Sequence, residues 1–231
     1  MSTIAGNLQA VEATIEAACR AAGRPRSTVQ LLAVSKTFPA EAVLEAAASG
    51  QRAFGENYLQ EGIDKIAAVA KALPDTPLEW HFIGPIQSNK TRPIAEHFQW
   101  VHGVEREKIA QRLNDARPEA LPPLNVCIQI NVSGEASKSG AAPGTEGALA
   151  AAIAGMPRLK LRGLMAIPEP TTDAGLRRRR FALLRELKQG LEAAGHKLDT
   201  LSMGMSDDLE AAIAEGATLV RVGTAIFGRR T

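Results

Sequence analysis

The chain has 231 residues, of which 45% are hydrophobic and 4% aromatic, and its formal net charge is +2 at pH 7. This length can bury one sizeable core and leaves little room for a second domain, so we expect a single domain spanning residues 1–231. The small net charge argues against nucleic acid and anionic membranes as partners, and the sequence contains no apolar stretch long enough to span a bilayer. We therefore expect a cytoplasmic protein.

Short aliphatic runs alternate with alanine-rich amphipathic segments along the chain. The first segment reads as an amphipathic helix and not as a signal peptide, because Glu12 and Glu16 interrupt its apolar positions. The strands predicted after it, in chain order, are Leu31–Ser35, Ala53–Gly55, Trp80–Ile83, Trp100–Gly103, Leu124–Asn131, Leu161–Ile167, Thr200–Met203 and Leu219–Val222. Strands alternating with helices imply parallel βαβ units, and eight such units in this length predict a closed (β/α)8 barrel, a TIM barrel.

Two basic side chains are predicted to point into the mouth of this barrel. Lys36 shares parity with Leu32 and Val34 on the first strand, and Arg221 shares parity with Leu219 on the last. Because the first and last strands are neighbours in a closed barrel, the two side chains should lie side by side. Partial desolvation and a nearby cation lower the pKa of an amine, which suits a Schiff-base lysine. The alternatives are a lysine that reaches solvent above the rim and an arginine paired with a structural carboxylate.

Small and hydroxyl residues follow the seventh and eighth strands. Ser202–Ser206 reads Ser-Met-Gly-Met-Ser, and Gly223–Ile226 reads Gly-Thr-Ala-Ile. Exposed backbone N–H groups, hydroxyls and a helix N-terminus together form an anion cradle, and barrels often bind phosphate at these two loops. A capping serine alone would look similar, so the pairing of the two loops carries the prediction. With the lysine and arginine, it calls for a ligand that has a phosphate and an aldehyde.

Several other residues have structural interpretations. The two cysteines, Cys19 and Cys127, belong to no paired motif and are expected to be buried and small. The arginine run 177–180 is expected to form the solvated face of a helix. His81 is expected to be hydrogen-bonded, Glu56 to cap the following helix, and the histidines show no spacing typical of metal ligands, so we expect no metal.

Six motifs in the chain carry a family resemblance. They are Ala33–Thr37, Phe54–Tyr58, His81–Lys90, Gly163–Ala166, Ser202–Asp208 and Arg221–Thr224. In this order they resemble the pyridoxal 5′-phosphate (PLP) homeostasis protein family (YggS/PROSC), over about Leu31 to Arg229. That family is similar to the N-terminal barrel domain of alanine racemase (PLP fold type III) and lacks the second β domain of that enzyme.

The resemblance implies that PLP is the cofactor and that eight residues contact it: Lys36, Asn57, Met165, Met203, Ser206, Arg221, Gly223 and Thr224. Lys36 would hold the aldehyde as a Schiff base. Ser206, Gly223 and Thr224 would contact the phosphate, and Asn57, Met165 and Met203 would form pocket walls. Arg221 would lie near the pyridine ring, with its contact, ring nitrogen or phosphate, left open.

The function implied is that of a carrier that holds PLP, maintains its free level and delivers it to PLP-dependent apoenzymes, without substantial turnover. A permanent cation at the ring nitrogen would weaken the ring as an electron sink. Racemisation also needs a second base, and the only tyrosine, Tyr58, is expected to pack or point outward. A racemase-like PLP enzyme is the alternative, and a lysine Schiff-base aldolase acting on sugar phosphates is a third possibility.

Two further lysines and the oligomeric state complete the expectations. Lys90 and Lys138 lie in loops like those of the family, and are either transient secondary acceptors of PLP or surface lysines. The absence of the second racemase domain, which builds the racemase dimer, favours a monomer.

Overall fold

A computed structural model describes residues 3–134 and 139–228 and shows a closed barrel of parallel strands in the order β1-β2-β3-β4-β5-β6-β7-β8. The strands are β1 Gln30–Val34, β2 Ala53–Glu56, β3 Glu79–Phe82, β4 Trp100–Val104, β5 Leu124–Gln129, β6 Leu159–Met165, β7 Thr200–Ser202 and β8 Leu219–Val222. Strands β1 and β8 pair with each other, which closes the barrel. The predicted (β/α)8 fold is confirmed.

Helices alternate with these strands on the outside of the barrel. The α-helices are α1 Ile4–Ala21, α2 Ala40–Ala48, α3 Leu59–Ala72, α4 Thr91–His97, α5 Glu107–Ala116, α6 Glu146–Ala154, α7 Ala174–Ala193, α8 Leu209–Ala214 and α9 Thr224–Phe227. Short 3-10 turns lie at Arg26–Thr28 and Ser88–Lys90. Asp173 caps α7 by accepting a hydrogen bond from the Leu176 N–H, which satisfies one of the unpaired donors at the helix start.

Helix α1 completes the ring of helices. In the described part of the chain, the segment after β8 forms the four-residue α9, and α1 packs against α2, α8 and α9. Its apolar side, Leu8, Val11 and Ile15, is buried. The Asn7 amide donates to the Ile226 carbonyl at 2.8 Å, which ties α1 to α9. The predicted amphipathic helix therefore covers the side of the barrel where β1 and β8 meet.

Every predicted strand end lies within two residues of the observed one. The largest C-terminal offsets are at Asn131 and Ile167, because β5 and β6 end two residues earlier, where the chain turns at the barrel mouth. The arginine run on α7 is exposed at Arg178 and Arg179, as expected, but Arg180 is buried and donates to the Glu169 carbonyl at 2.8 Å. The solvated-face interpretation was therefore wrong for that residue.

Within the described ranges, none of the helices combines the length and apolar character needed to cross a bilayer. Both cysteines are free and buried, as the sequence predicted. Burial raises the pKa of the Cys127 thiol to about 12, so this side chain is an inert core residue.

Candidate functional site

A cavity of ≈ 600 Å³ opens at the C-terminal mouth of the barrel. Its wall contains six of the eight residues predicted to contact a cofactor: Lys36, Asn57, Ser206, Arg221, Gly223 and Thr224. A larger groove of ≈ 910 Å³ lies along α4 and α5, and its lining includes none of the eight predicted residues. We assign the site to the mouth because catalytic and binding groups of such barrels gather there.

Lys36 enters the cavity from the end of β1. Leu32 and Val34 pack inside the barrel with Leu219, and the next position of the same parity is Lys36, which is half-buried in the cavity wall. Leu32 pairs in register with Arg221 on β8. The two strands are neighbours, as predicted, and both basic residues line the cavity, but Arg221 pairs with the position four residues before Lys36 and so lies deeper in the barrel.

The loops after β7 and β8 line one side of the cavity. Gly204 has a φ of 94°, which L side chains rarely adopt, and its carbonyl accepts from the Arg221 N–H at 2.9 Å. Gly223 approaches the Val34 carbonyl so closely that a Cβ there would lie 3.1 Å from the oxygen. These glycines bring backbone N–H groups and the hydroxyls of Ser206 and Thr224 to one side of the cavity.

Asn57 supplies an unsatisfied acceptor in the cavity wall. Its Oδ1 is buried and lacks a hydrogen-bond partner among the described residues. The opposing chain is packed tightly, since a Cβ on Gly84 would lie 2.3 Å from the Asn57 carbonyl oxygen. A buried acceptor without a donor is costly, and a bound molecule that offers a hydroxyl or N–H group would satisfy it. The residues present therefore fit a polar ligand such as PLP.

Met165 and Met203 are not exposed in the wall of the cavity. Both are fully buried, Met165 in a cluster with Trp100 and Cys127 and Met203 in the main core, where Leu201, which has the same parity, also packs. The lining of the cavity includes neither residue, so their contact with a cofactor stays a prediction.

Four other residues were singled out from the sequence, and the structure describes three of them. Glu56 does not cap α3, so that interpretation was wrong: the N-cap is Tyr58, and the Glu56 carboxylate is fully buried in an ion pair with Lys65 at 2.6 Å. Tyr58 is 52% exposed, in keeping with the expectation that it points outward. Lys90 is exposed in a 3-10 turn, whereas Lys138 lies outside the described residues.

A chain of hydrogen bonds crosses the barrel interior beneath the cavity. Arg221 donates to Ser202 Oγ at 2.7 Å and to the Ala166 carbonyl at 2.8 Å. Ser202 Oγ lies 2.8 Å from His102 Nδ1, and His102 Nε2 lies 2.9 Å from His81 Nδ1. His81 Nε2 in turn lies 2.9 Å from Glu79 Oε1, at the start of β3.

The chemistry of the two ends fixes the direction of this chain. The guanidinium can only donate and the ionised carboxylate can only accept, so all the contacts are satisfied when every intermediate group donates toward Glu79. This requires both histidines to be neutral with the proton on Nε2. Burial lowers the pKa of His81, and burial together with the charges of His81 and Arg221 lowers the pKa of His102 further. The Glu79 carboxylate, hydrogen-bonded to His81, has its pKa lowered to about 2.

Neutral buried histidines make the stability of the fold dependent on pH. Their folded-state pKa values lie below the unfolded value of about 6.5, so only the unfolded chain takes up protons as the pH falls through that value. We expect the free energy of unfolding to fall below pH 6.5, by at most about 1.4 kcal/mol per pH unit for each histidine. Urea unfolding from pH 7.5 to 5.5 measures it. The dependence of the unfolding free energy on pH should be weaker in His102→Gln. His196→Gln, which alters a histidine outside this hydrogen-bond network, is the control.

Burial also lowers the pKa of Arg221 to about 10, but this value is still high enough for Arg221 to remain a cation at neutral pH. The sequence pointed to Arg221 and to a hydrogen-bonded His81 but not to Glu79, His102 and Ser202. The signal that could have found them is parity: His102 and Ser202 are polar positions of predicted strands, and Glu79 directly precedes the predicted strand Trp80–Ile83 with the same parity as His81. In the described ranges, His, Cys, Asp and Glu side chains form no cluster suited to a metal ion.

Comparison with known proteins agrees with this geometry. A family model described as the N-terminal domain of alanine racemase matches residues 6–231, so the molecule is a barrel of the racemase type. Alanine racemase from Corynebacterium glutamicum has a similar fold (TM-score 0.67, 16% identity, covering 96% of this chain and 61% of that one).

Closer relatives specify the family. The pyridoxal phosphate homeostasis protein of Pseudomonas aeruginosa is 66% identical over 230 residues, covering 100% of this chain and 97% of the relative. The Escherichia coli K12 protein of the same name is 56% identical over 233 residues (100% and 98%). The structure of PipY from Synechococcus elongatus with PLP bound matches with a TM-score of 0.82 and 37% identity (98% and 100%). The chain therefore belongs to the pyridoxal phosphate homeostasis protein family.

Proposed function

We propose that this chain is a carrier that binds PLP covalently at Lys36, maintains the PLP level and passes the vitamer to PLP-dependent apoenzymes in the cytoplasm. The observation that carries the proposal is the convergence of Lys36, Arg221 and the two anion-binding loops on one cavity. PLP supplies an aldehyde carbon with which a lysine amine condenses, losing water to form a C=N bond. The similarity to PipY, described with PLP bound, supports the choice of ligand.

The residues of the chain have distinct tasks in this proposal. Gly223, Thr224 and Ser206 bind the phosphate through backbone N–H and hydroxyl groups. Asn57 accepts a hydrogen bond through its unsatisfied Oδ1, and Arg221 lies against the ring. Met165 and Met203, which are fully buried without the ligand, are proposed to form further walls of the pocket.

The arrangement favours holding over turnover. Arg221 is a buried cation whose N–H groups can only donate, so at the ring nitrogen it disfavours protonation and weakens the electron sink. Among the described lining residues, a second base is limited to the exposed Asp207 on the rim, and Tyr58 lies outside the cavity. We also propose that residues 1–231 form a single domain, which the one closed barrel supports, and that the protein is a monomer.

Hydride trapping tests the proposal directly. Purified protein is incubated with PLP, reduced with borohydride and digested, and mass spectrometry should locate the pyridoxyl group on the peptide that contains Lys36. In a second experiment, the loaded protein is combined with a PLP-dependent apoenzyme, either in direct contact or across a dialysis membrane. The apoenzyme should gain activity in both arrangements, and faster on direct contact. Sustained amino acid racemisation that scales with protein and disappears without Lys36 would instead establish the racemase-like alternative. An adduct formed only with sugar phosphates would establish the aldolase.

Removal of Arg221 should weaken retention of the vitamer. A hydrogen bond to a charged group contributes about 1.5–3 kcal/mol, so we expect Arg221→Ala to lose PLP about 10- to 150-fold more readily. Dialysis against phosphate buffer, followed by the absorbance that remains, measures this loss. Arg20→Ala removes an exposed arginine on α1 and is the control. Retention equal to that of the parent would show that Arg221 makes no contact with the ligand.

A further inference from the structure

The backbone just after Lys36 is strained. Thr37 has a φ of 68° and, among the described residues, is the only non-glycine with a positive φ. Cβ sterics make this left-handed region unfavourable for L residues, and a β-branched residue such as threonine adopts it rarely. Such a conformation persists only where the surroundings hold it. The turn that presents Lys36 to the cavity must therefore be held from outside.

Three side chains on the outer face of the barrel hold this turn: Glu56, Glu61 and Lys65, here called the Lys65 cluster. Ser35 Oγ donates to Glu56 Oε1 at 2.6 Å, and Lys65 Nζ donates to the Ser35 carbonyl at 2.8 Å. The Thr37 N–H donates to Glu61 Oε1 at 2.5 Å. Both chain neighbours of Lys36 are therefore held, while the lysine side chain itself points the other way, into the cavity.

The cluster is charged and largely buried. Lys65 contacts Glu56 at 2.6 Å and Glu61 at 3.0 Å, and the exposed fractions of the Lys65, Glu56 and Glu61 side chains are 3%, 0% and 32%. Burying such ions costs desolvation energy that the pairing repays only in part, so an ion pair of this kind is weak evidence of a stabilising role. Its direct contacts to Ser35 and Thr37 offer a different reason for its presence.

We infer that the Lys65 cluster is a positioning device for Lys36: it holds Thr37 in its left-handed conformation and so pre-orients the Lys36 amine for condensation with an aldehyde. This inference rests on the proposed function. In that step the neutral amine adds to the aldehyde carbon, a C=N bond forms, and the aldehyde oxygen leaves as water, with no change in oxidation state. An amine that is already oriented loses less freedom on reaching the reactive geometry, which raises the rate.

Glu61 is the best position for a test because it is partly exposed and its loss should not prevent folding. Glu61→Ala removes the acceptor for the Thr37 N–H, so the turn can relax to an unstrained conformation. We expect the second-order rate constant for PLP uptake, followed by stopped-flow absorbance, to fall about tenfold, which corresponds to about 1.4 kcal/mol, within the range for a left-handed residue. Glu192→Ala removes a similarly exposed acidic partner of an i,i+4 pair with Lys188 at the far end of α7 and should leave the rate unchanged.

A second substitution separates positioning from stability. Glycine adopts a φ of 68° without strain, so Thr37→Gly should remove most of the need for Glu61. In the Thr37→Gly background, Glu61→Ala should therefore slow uptake less than threefold. A merely structural ion pair would not be rescued by a change at residue 37. Hydrogen exchange at the residue 37 amide should accelerate in Glu61→Ala, which reports on the contact without PLP.

The outcomes are distinct. Equal uptake rates in Glu61→Ala and the parent, or an equal loss in both backgrounds, would overturn the positioning role while leaving Lys36 as the attachment site. If the parent forms no borohydride-trapped adduct at Lys36, the proposed function fails and this inference fails with it.

Discussion

Lys36→Ala is expected to abolish covalent attachment of PLP. The parent should trap about one pyridoxyl group per chain at Lys36 after borohydride reduction, because this is the amine that the barrel mouth presents beside a buried cation and an anion cradle. The variant should trap none there and should lose the long-wavelength absorbance of the linkage. The phosphate contacts of Gly223 and Thr224 would remain, so weak non-covalent binding should persist and be removed by dialysis.

Lys90→Ala is the matched control for this variant. Lys90 is exposed in a 3-10 turn and is outside the lining of the cavity, so its removal should leave the trapped yield unchanged. Intact mass spectrometry of both variants measures the yield, and thermal unfolding verifies that Lys36→Ala is folded. If Lys36→Ala keeps the parental adduct mass and colour, another amine carries the vitamer and the assignment of the site is wrong.

The largest loss of stability is expected from Lys65→Met. The substitution leaves the fully buried Glu56 carboxylate without its cation, and Glu56 Oε2 already lacks a hydrogen-bond partner within the described chain. Breaking a buried ion pair from one side costs about 3–5 kcal/mol, because an uncompensated charge stays in a low-dielectric environment. Desolvation already raises the pKa of Glu56, so the variant should protonate this carboxyl more readily. Urea unfolding at pH 7 measures the loss.

Removing the second charge should reverse most of this loss. Replacement of a whole buried ion pair by apolar residues is often neutral or stabilising, so Lys65→Met with Glu56→Leu should recover most of the stability. Lys188→Met, which breaks a surface pair with Glu192, should cost less than about 1 kcal/mol. A double variant as unstable as Lys65→Met alone would show that the loss comes from packing or from the Ser35 contacts and not from the unpaired charge.

The sequence by itself determined the barrel and the position of Lys36 at its mouth. Alternating strand and helix periods imply parallel units, and closure of eight of them places Lys36 and Arg221 on neighbouring strands; the register of β1 and β8 agrees. The loops after β7 and β8 could also be predicted, since glycines and hydroxyls at strand ends mark an anion cradle locally. Each of these conclusions depends on parity or on short-range chemistry, which a linear pattern contains.

The tertiary structure decided which side chains meet across strands. Glu56 was assigned to a helix cap from its position, but it pairs with Lys65 on α3, because burial rewards a partner that only packing brings within reach. The burial of Met165 and the hydrogen bonds that run from Arg221 through Ser202 to His102 likewise depend on how the strands are aligned with one another. Register between strands sets those distances, and residues far apart in sequence carry no local signal of it.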